Sequence, residues 1–245
     1  MNRFSELDSL LRNQDIESAD RHEAERIYGY AHCMADIEGV VAVVSDIHAG
    51  SSRIFNGHFA AVLGIEGYSS EESIWEKRIL SLMPPAEQEA KFLAELRFFN
   101  YTRSLGKNRR HHCLMTKLRF ADGRGGFTDV LHRMYYIHDD ATGAVRYAIC
   151  LYGPLTVDFK GKSIVANTLT GLCEELSSDR DSSILSSRER QVLSLINSGM
   201  KSREIAAMLN ISVYTVSRHR QSILERLQVK NSVEACRRAA ILGLV

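Results

Sequence analysis

Four residues near the end of the chain have types and spacing suited to gripping a polar, anionic surface. Tyr214, Ser217, Arg218 and Gln221 recur at three- and four-residue steps. On a helix they share one side, opposite Val216, Ile223 and Leu227. Arginine can donate two parallel hydrogen bonds to a guanine edge, and glutamine can do the same for adenine. Lys201, Ser202, Thr215 and Arg220 fall near helix starts or at the edge of that side, where phosphate contacts are made. Candidates for other chemistry are sparser. Asp46 and His48 close the apolar run of VVSDIHAG, where an Asp-x-His pair could open a metal site. His111 and His112 are adjacent, so on a strand they point to opposite faces and cannot chelate together. His48 and His58 are the other histidines that could ligate a cofactor, though a solitary histidine is more often a packed one. Cys33, Cys113, Cys150, Cys173 and Cys236 are scattered, odd in number and without a C-x-x-C pair. They read as reduced thiols of a cytoplasmic protein, with Cys113 and Cys150 as small core residues on strands. No G-x-x-x-x-G-K-[ST] phosphate loop occurs, and ADGRGG reads as a hairpin turn. No catalytic constellation, metal site or cofactor is assigned, and the chain is not expected to be an enzyme.

The elements that must position the first group are legible from residue 184 onward. Ser186 or Ser187 caps a helix, with Glu189 three residues after Ser186 as in a capping box. Val192, Leu193, Leu195 and Ile196 supply its buried stripe, and Gly199 ends it. A second helix, capped by Ser202, carries Ile205, Ala206 and Leu209. Asn210, Ile211 and Ser212 make a short turn into a third helix from about Val213 to Leu227. A fourth runs from about Ser232 to Leu242. Two short helices joined by a tight turn, the second bearing an Arg-containing polar side, are the parts of a helix-turn-helix. Charge divides accordingly. Residues 184–245 hold ten Lys/Arg and four Asp/Glu, a balance of +6, whereas the preceding residues hold 21 and 26, a balance of −5.

The segment LSSRERQVLSLINSGMKSREIAAMLNISVYTVSRHRQSILERLQVKNSVEA resembles the LuxR/FixJ-type helix-turn-helix of bacterial transcription regulators. Arg188-Glu189, Val192-Leu193, Gly199, Glu204-Ile205-Ala206, Ile211-Ser212, Thr215-Val216, His219, Ile223, Leu227 and Glu234-Ala235 fall in place. Gln191, Arg226 and Ser232 depart from the usual Glu, Lys and Arg. The resemblance implies binding of double-stranded DNA, with Lys201, Ser202, Tyr214, Thr215, Ser217, Arg218, Arg220 and Gln221 at the interface. It also implies a homodimer reading an inverted-repeat operator, paired through the last helix. Cys236, Ala239 and Ala240 offer a small-residue side for that pairing.

The front of the chain is read separately. Residues 1–38 form an N-terminal helical segment. Within 39–155, Val40–Ile47 and Arg53–Phe55 are strand candidates. HFAAVLGI is helical, and Ser69 or Ser70 should cap a further helix. Pro84 and Pro85 open a longer helix through about Ser104. LMTKLRF, FTDVLHRMYYI and VRYAICLYG are three strands with turn-rich connections. Two strands, several helices and three antiparallel strands follow the order of a PAS domain, a sheet with helices on one side. FNGHFAAVLGIEGYSSEE, with the Met83-Pro84-Pro85 region, resembles PAS sequences, a family that senses a small ligand or binds a partner. Residues 156–183 are read as a linker helix and a polar linker. Ile164, Val165, Leu169, Leu172 and Leu176 recur at helical steps; Ile164, Leu169, Leu172 and Leu176 would then form a seam for pairing with a second copy, for packing onto the chain's own sheet, or for both.

The expected fold class is therefore α+β: a PAS-like antiparallel sheet with helices, followed by an all-α four-helix LuxR-type helix-turn-helix domain at 184–245. The expected function is that of a cytoplasmic, dimeric DNA-binding regulator controlled by a small ligand or a partner of unknown identity. Alternatively, the front half is a protein-interaction module without a ligand. Three other readings fail on the residues. VVSDIHAG resembles the opening segment of calcineurin-like metallophosphoesterases, but the later G-D-x-x-D and G-N-H-D/E are absent. Asp46 lacks the upstream acidic pair of a phosphorylatable receiver. Trp75, the only tryptophan, cannot build an acyl-homoserine-lactone pocket. The longest early apolar run, Gly39 to Val44, is too short to cross a bilayer, and the N-terminus lacks the apolar core of a secretory signal.

Overall fold

The computed structural model describes residues 3–16, 21–176, 185–227, 229–241 and 244. Two helices, α1 (Arg3–Arg12) and α2 (Arg21–Glu38), lead into strands β1 (Val41–Asp46) and β2 (Ser51–Asn56). Next come α3 (Phe59–Leu63), the short β3 (Ser70–Glu71), α4 (Lys77–Ser81) and the long α5 (Pro85–Ser104). Five strands follow: β4 (His112–Ala121), β5 (Phe127–His138), β6 (Val145–Pro154), β7 (Ser163–Asn167) and β8 (Cys173–Glu175). The chain closes with α6 (Ser187–Asn197), α7 (Ser202–Leu209), α8 (Val213–Leu227) and α9 (Ser232–Ile241).

All eight strands belong to one sheet in the order β3-β2-β1-β6-β5-β4-β7-β8, with every pairing antiparallel. Its inner face carries Val41, Val43, Leu114, Leu118, Met134, Cys150 and Tyr152, packed with Phe59, Leu63, Ile79, Ala94 and Phe98 of α3, α4 and α5. The outer face of the central strands carries Ala42, Val44, Tyr147 and Leu151 beneath Ile27, Ala31 and Ala35 of α2. Helices on one side only were expected. The sequence VAVVSD of β1, buried at every position, shows why both sides must be covered: a strand without polar alternation has no face to offer water. Helix α5 begins at Pro85, whose fixed φ suits the first turn, and Gln88 Nε2 donates to the carbonyls of Leu80 and Met83 to hold the preceding bend.

Two sequence expectations are corrected here. Ser69 or Ser70 does not cap a helix. Ser70 and Glu71 pair with Arg53 and Ser52 on the free edge of β2, and the helix starts only at Lys77. More consequentially, the expected linker helix is a β-hairpin. Ile164 and Val165 lie in β7, which pairs with β4 and gives that strand's open edge a partner. Asn167 Oδ1 accepts from the backbone N–H groups of Leu169 and Thr170, and Gly171 takes φ +74°, so the chain turns back into β8. The proposed pairing seam therefore does not exist as a helix face. Ile164 and Leu176 are buried within the chain's own sheet domain, while Leu169 and Leu172 sit at the hairpin turn, 75% and 67% exposed. The polar linker read at SSDRDSS lies outside the described residues.

Gly57, between β2 and α3, has no room for a side chain. A Cβ there would collide with the carbonyl oxygens of Ala35 and Val40 and with the backbone of Gly39. Because all three obstacles are backbone, Gly57→Ala is expected to destabilise the sheet domain by about 1–3 kcal/mol, read by urea denaturation.

Candidate nucleic-acid interface

Helices α6 to α9 enclose one small core of Val192, Leu193, Ile205, Ala206, Val216, Ile223, Leu227, Ala235 and Ala239. Its start is fixed by a reciprocal cap. The Glu189 backbone N–H donates to Ser186 Oγ at 3.2 Å, and the Ser186 N–H donates to Glu189 Oε2 at 2.7 Å. The other oxygen of Glu189 accepts from Ser222 Oγ of α8 at 2.6 Å and lies 3.3 Å from Arg226 Nε. Burial works to raise this carboxyl, but the bonds from Ser222 and Ser186 and the charge of Arg226 outweigh it and hold it below the usual glutamate value. Arg188 donates to the Leu209 carbonyl at 2.6 Å, tying α6 to the end of α7. Its other arm donates to Gln191 at 2.9 Å, so this departure from the family pattern keeps the bond and loses only the charge.

Asn210 takes the left-handed conformation, φ 51° and ψ 50°, and turns the chain from α7 into α8. Ser212 caps α8, its Oγ accepting from the Thr215 N–H at 3.0 Å. Tyr214, Ser217, Arg218 and Gln221 are all exposed, on the side away from the buried Val216, Ile223 and Leu227. Ser217 Oγ donates to the Val213 carbonyl, and Gln221 Nε2 to Glu225 Oε1 at 2.8 Å. Thr215 Oγ1 is 2.8 Å from Ser212 Oγ, while Lys201 is exposed before α7. Ser202 is not the cap of α7: the cap position is Lys201, whose N–H donates to Glu204 Oε2. The Ser202 hydroxyl instead accepts from Arg220 Nη1 at 3.0 Å, and Arg220 Nη2 donates to Ser232 Oγ at 2.9 Å. Arg220 therefore staples α7, α8 and α9 together. Of the small residues read as a pairing face on α9, Ala239 is wholly buried in the domain's own core, Cys236 is half-buried and Ala240 is exposed. Ala239 is corrected on that ground, because it already packs against α6 and α8.

A second constellation, which the sequence reading did not assemble, lies inside the sheet domain. Lys91 and Glu95 face inward from α5, 1% and 3% exposed, with Nζ to Oε1 at 2.6 Å. Buried beside them are Glu76, His132 of β5, and Cys150 of β6. His132 Nε2 is 3.8 Å from Glu95 Oε1, too long for a hydrogen bond, and its ring stacks on Tyr152 at 4.8 Å. Burial disfavours the Lys91 cation, yet the Glu95 and Glu76 carboxylates outweigh it and raise its pKa. Burial raises the Glu95 carboxyl and the Cys150 thiol and pushes His132 well below the usual histidine range. The one available signal was the i,i+4 charge pair on an α5 face otherwise made of Phe92, Ala94 and Phe98; nothing linked it to residues 132 and 150.

Helix α1 spans the two regions. Trp75 Nε1 donates to its Asp8 at 2.6 Å, Phe4 meets Trp75 and Phe92 at 5.1 Å each, and Arg238 Nε of α9 donates to its Glu6 at 2.5 Å. Among the described residues no helix is long and apolar enough to cross a membrane. Of the Asp46-x-His48 pair, Asp46 Oδ1 accepts from the Ala49 N–H at 2.8 Å and serves the turn.

Residues 183–239 match the family described as bacterial regulatory proteins, luxR family. The chain is 48% identical over 54 residues to the transcriptional regulatory protein UhpA of Escherichia coli (strain K12), covering 22% of this chain and 28% of that one. It is 40% identical over 83 residues to the transcriptional regulatory protein DesR of Bacillus subtilis (strain 168), covering 34% and 39%. The chain thus spans less than half the length of either relative. A solved structure described as the phage VqmA-DPO complex is similar over 91% of this chain and 88% of that one, at 15% identity and a TM-score of 0.33. The four helices, the family match over residues 183–239 and the similarity to UhpA and DesR define the C-terminal unit as a helix-turn-helix domain of the kind found in transcription regulators. It is a luxR-family domain.

His138, at the far end of β5, is held to a pKa of about 4 by burial and by Arg109 and Arg110, against 6.5 for the free side chain. The unfolded chain therefore takes up this proton first, and stability falls as pH drops from about 6.5 towards 4. Urea denaturation at pH 7 and pH 5 is expected to show that loss, with a shallower slope in His138→Gln.

Proposed function

We propose that the chain is a cytoplasmic DNA-binding transcription regulator rather than an enzyme, whose sheet domain is a PAS-like sensor that controls the helix-turn-helix. The observation that carries the reading is the exposed Tyr214-Ser217-Arg218-Gln221 stripe of α8, set on a luxR-family domain with its recognition side unobstructed by its own core. Arg218 reads a guanine edge, Gln221 an adenine edge, and Lys201 and Thr215 contact phosphates. Two copies act together on an inverted repeat. The PAS-like reading is supported by two strands, intervening helices and three antiparallel strands, and by a polar cluster sealed beneath α5. A ligand at that cluster would reach α9 through α1, which touches both Trp75 and Arg238.

The test compares operator variants by fluorescence anisotropy. Arg218→Ala is expected to cost about 1–3 kcal/mol at the preferred site and to relax discrimination at one base pair. Undiminished discrimination would refute the assignment. Arg220→Ala is expected to behave differently: losing its bonds to Ser202 and Ser232 lowers the melting temperature of the domain and weakens all DNA sequences alike, by about 1–2 kcal/mol of stability. Native mass spectrometry with and without operator checks the two-copy requirement.

A further inference from the structure

We propose that the buried cluster is a site for one divalent transition-metal ion of the zinc class, ligated by Glu95, His132 and Cys150; this rests on reading the sheet domain as the sensor and names its ligand.

The three residues come from α5, β5 and β6, and one ligand atom from each lies within 4.8 Å of the other two. Tetrahedral zinc with bonds of about 2.0–2.3 Å sets its ligands roughly 3.3–3.8 Å apart. The Glu95–His132 separation of 3.8 Å is already there, and the widest needs about 1 Å of side-chain closure. Imidazole, thiolate and carboxylate together suit zinc rather than magnesium or calcium, which take oxygen ligands.

Independent of that spacing, His132 is fully buried and neither ring nitrogen has a hydrogen-bond partner among the described residues. A fully buried imidazole without any partner is costly to keep, and a metal ion would use one of its nitrogens. Charge points the same way. Glu76 and Glu95 face one ammonium, Lys91, leaving the cluster formally one charge negative. Binding a divalent ion with loss of the Cys150 thiol proton to solvent brings the sum to zero. Lys91 stays bonded to Glu95 Oε1, as ligating carboxylates are commonly bonded from outside the metal's own shell.

Space decides against an organic effector at this spot. The cavity beside Glu76, Lys91, Glu95 and Cys150 is about 20 Å³, enough for a single water and not for a ring.

The experiment uses full-length protein in which the remote Cys33, Cys173 and Cys236 are changed to serine. After chelator treatment it is titrated with Co²⁺. The expected result is a thiolate-to-cobalt charge-transfer band saturating at one ion per chain, bleached by Zn²⁺, with zinc raising the melting temperature. Cys150→Ser and His132→Gln, each verified as folded by circular dichroism, are expected to lose the band and the stabilisation. Absence of a stoichiometric band in the parent, or its persistence in both variants, overturns the site. Operator titrations of the same metal-loaded and metal-free samples report separately on the sensor reading. One bound ion per chain with unchanged operator affinity keeps the site and overturns its regulatory role.

Discussion

The structure depends on one constraint: strands β1 and β6, flanked by β5, are apolar on both faces and must be covered on both. Their inner faces place Val41, Val43, Cys150, Tyr152 and Met134 under α3, α4 and α5. Their outer faces place Ala42, Val44, Leu151 and Tyr147 under α2. At roughly 25 cal/mol per Å² of apolar surface removed from water, neither face could be left open without a large loss. Helix α2 is therefore part of the sheet domain rather than an appendage to it. The tight passage at Gly57 follows, since β2 and α3 must pass directly beneath the carbonyl end of α2.

Each domain also buries a glutamate, and the two solutions differ. Glu189 gives one oxygen to the Ser186 N–H and the other to Ser222 and Arg226, so its charge is satisfied by fixed donors and it acts as a structural staple. Glu95 has one strong partner, Lys91, and beside it stands a histidine with none. A buried polar network that is only partly satisfied is costly to keep, and such costs gather where something is bound. The contrast separates a residue whose buried charge is fully satisfied from a cluster that is satisfied only in part.

The hairpin of β7 and β8 changes the picture of how the two domains are joined. A helical linker would have offered a direct rod between the sheet domain and the helix-turn-helix. Instead the chain continues the sheet past β4, and the contact with α9 is made by α1 through Glu6 and Arg238. The same α1 closes over Trp75 and Phe92, next to the buried cluster.

Local signals determined most of the C-terminal domain: the Ser186–Glu189 box, Gly199, the Asn210 turn and the spacing of Val216, Ile223 and Leu227 each act within a few residues, so the sequence displays them directly. The three long strands were legible for the same reason, as β-branched runs between turns. Position 164–176 was misread because Ile164, Val165, Leu169, Leu172 and Leu176 satisfy helical spacing. The open edge of β4, distant in sequence, supplied the competing hydrogen bonds. The sequence offered Arg220 only as a phosphate ligand; its role as a staple rests on partners twelve and eighteen residues away. Glu95, His132 and Cys150 lie on three elements that only the packing of α5 across β5 and β6 unites. The sequence by itself determined the kind of DNA-binding domain, because its signals are local. The tertiary structure alone decided the buried cluster, because burial and proximity are properties of chain segments that meet only on folding.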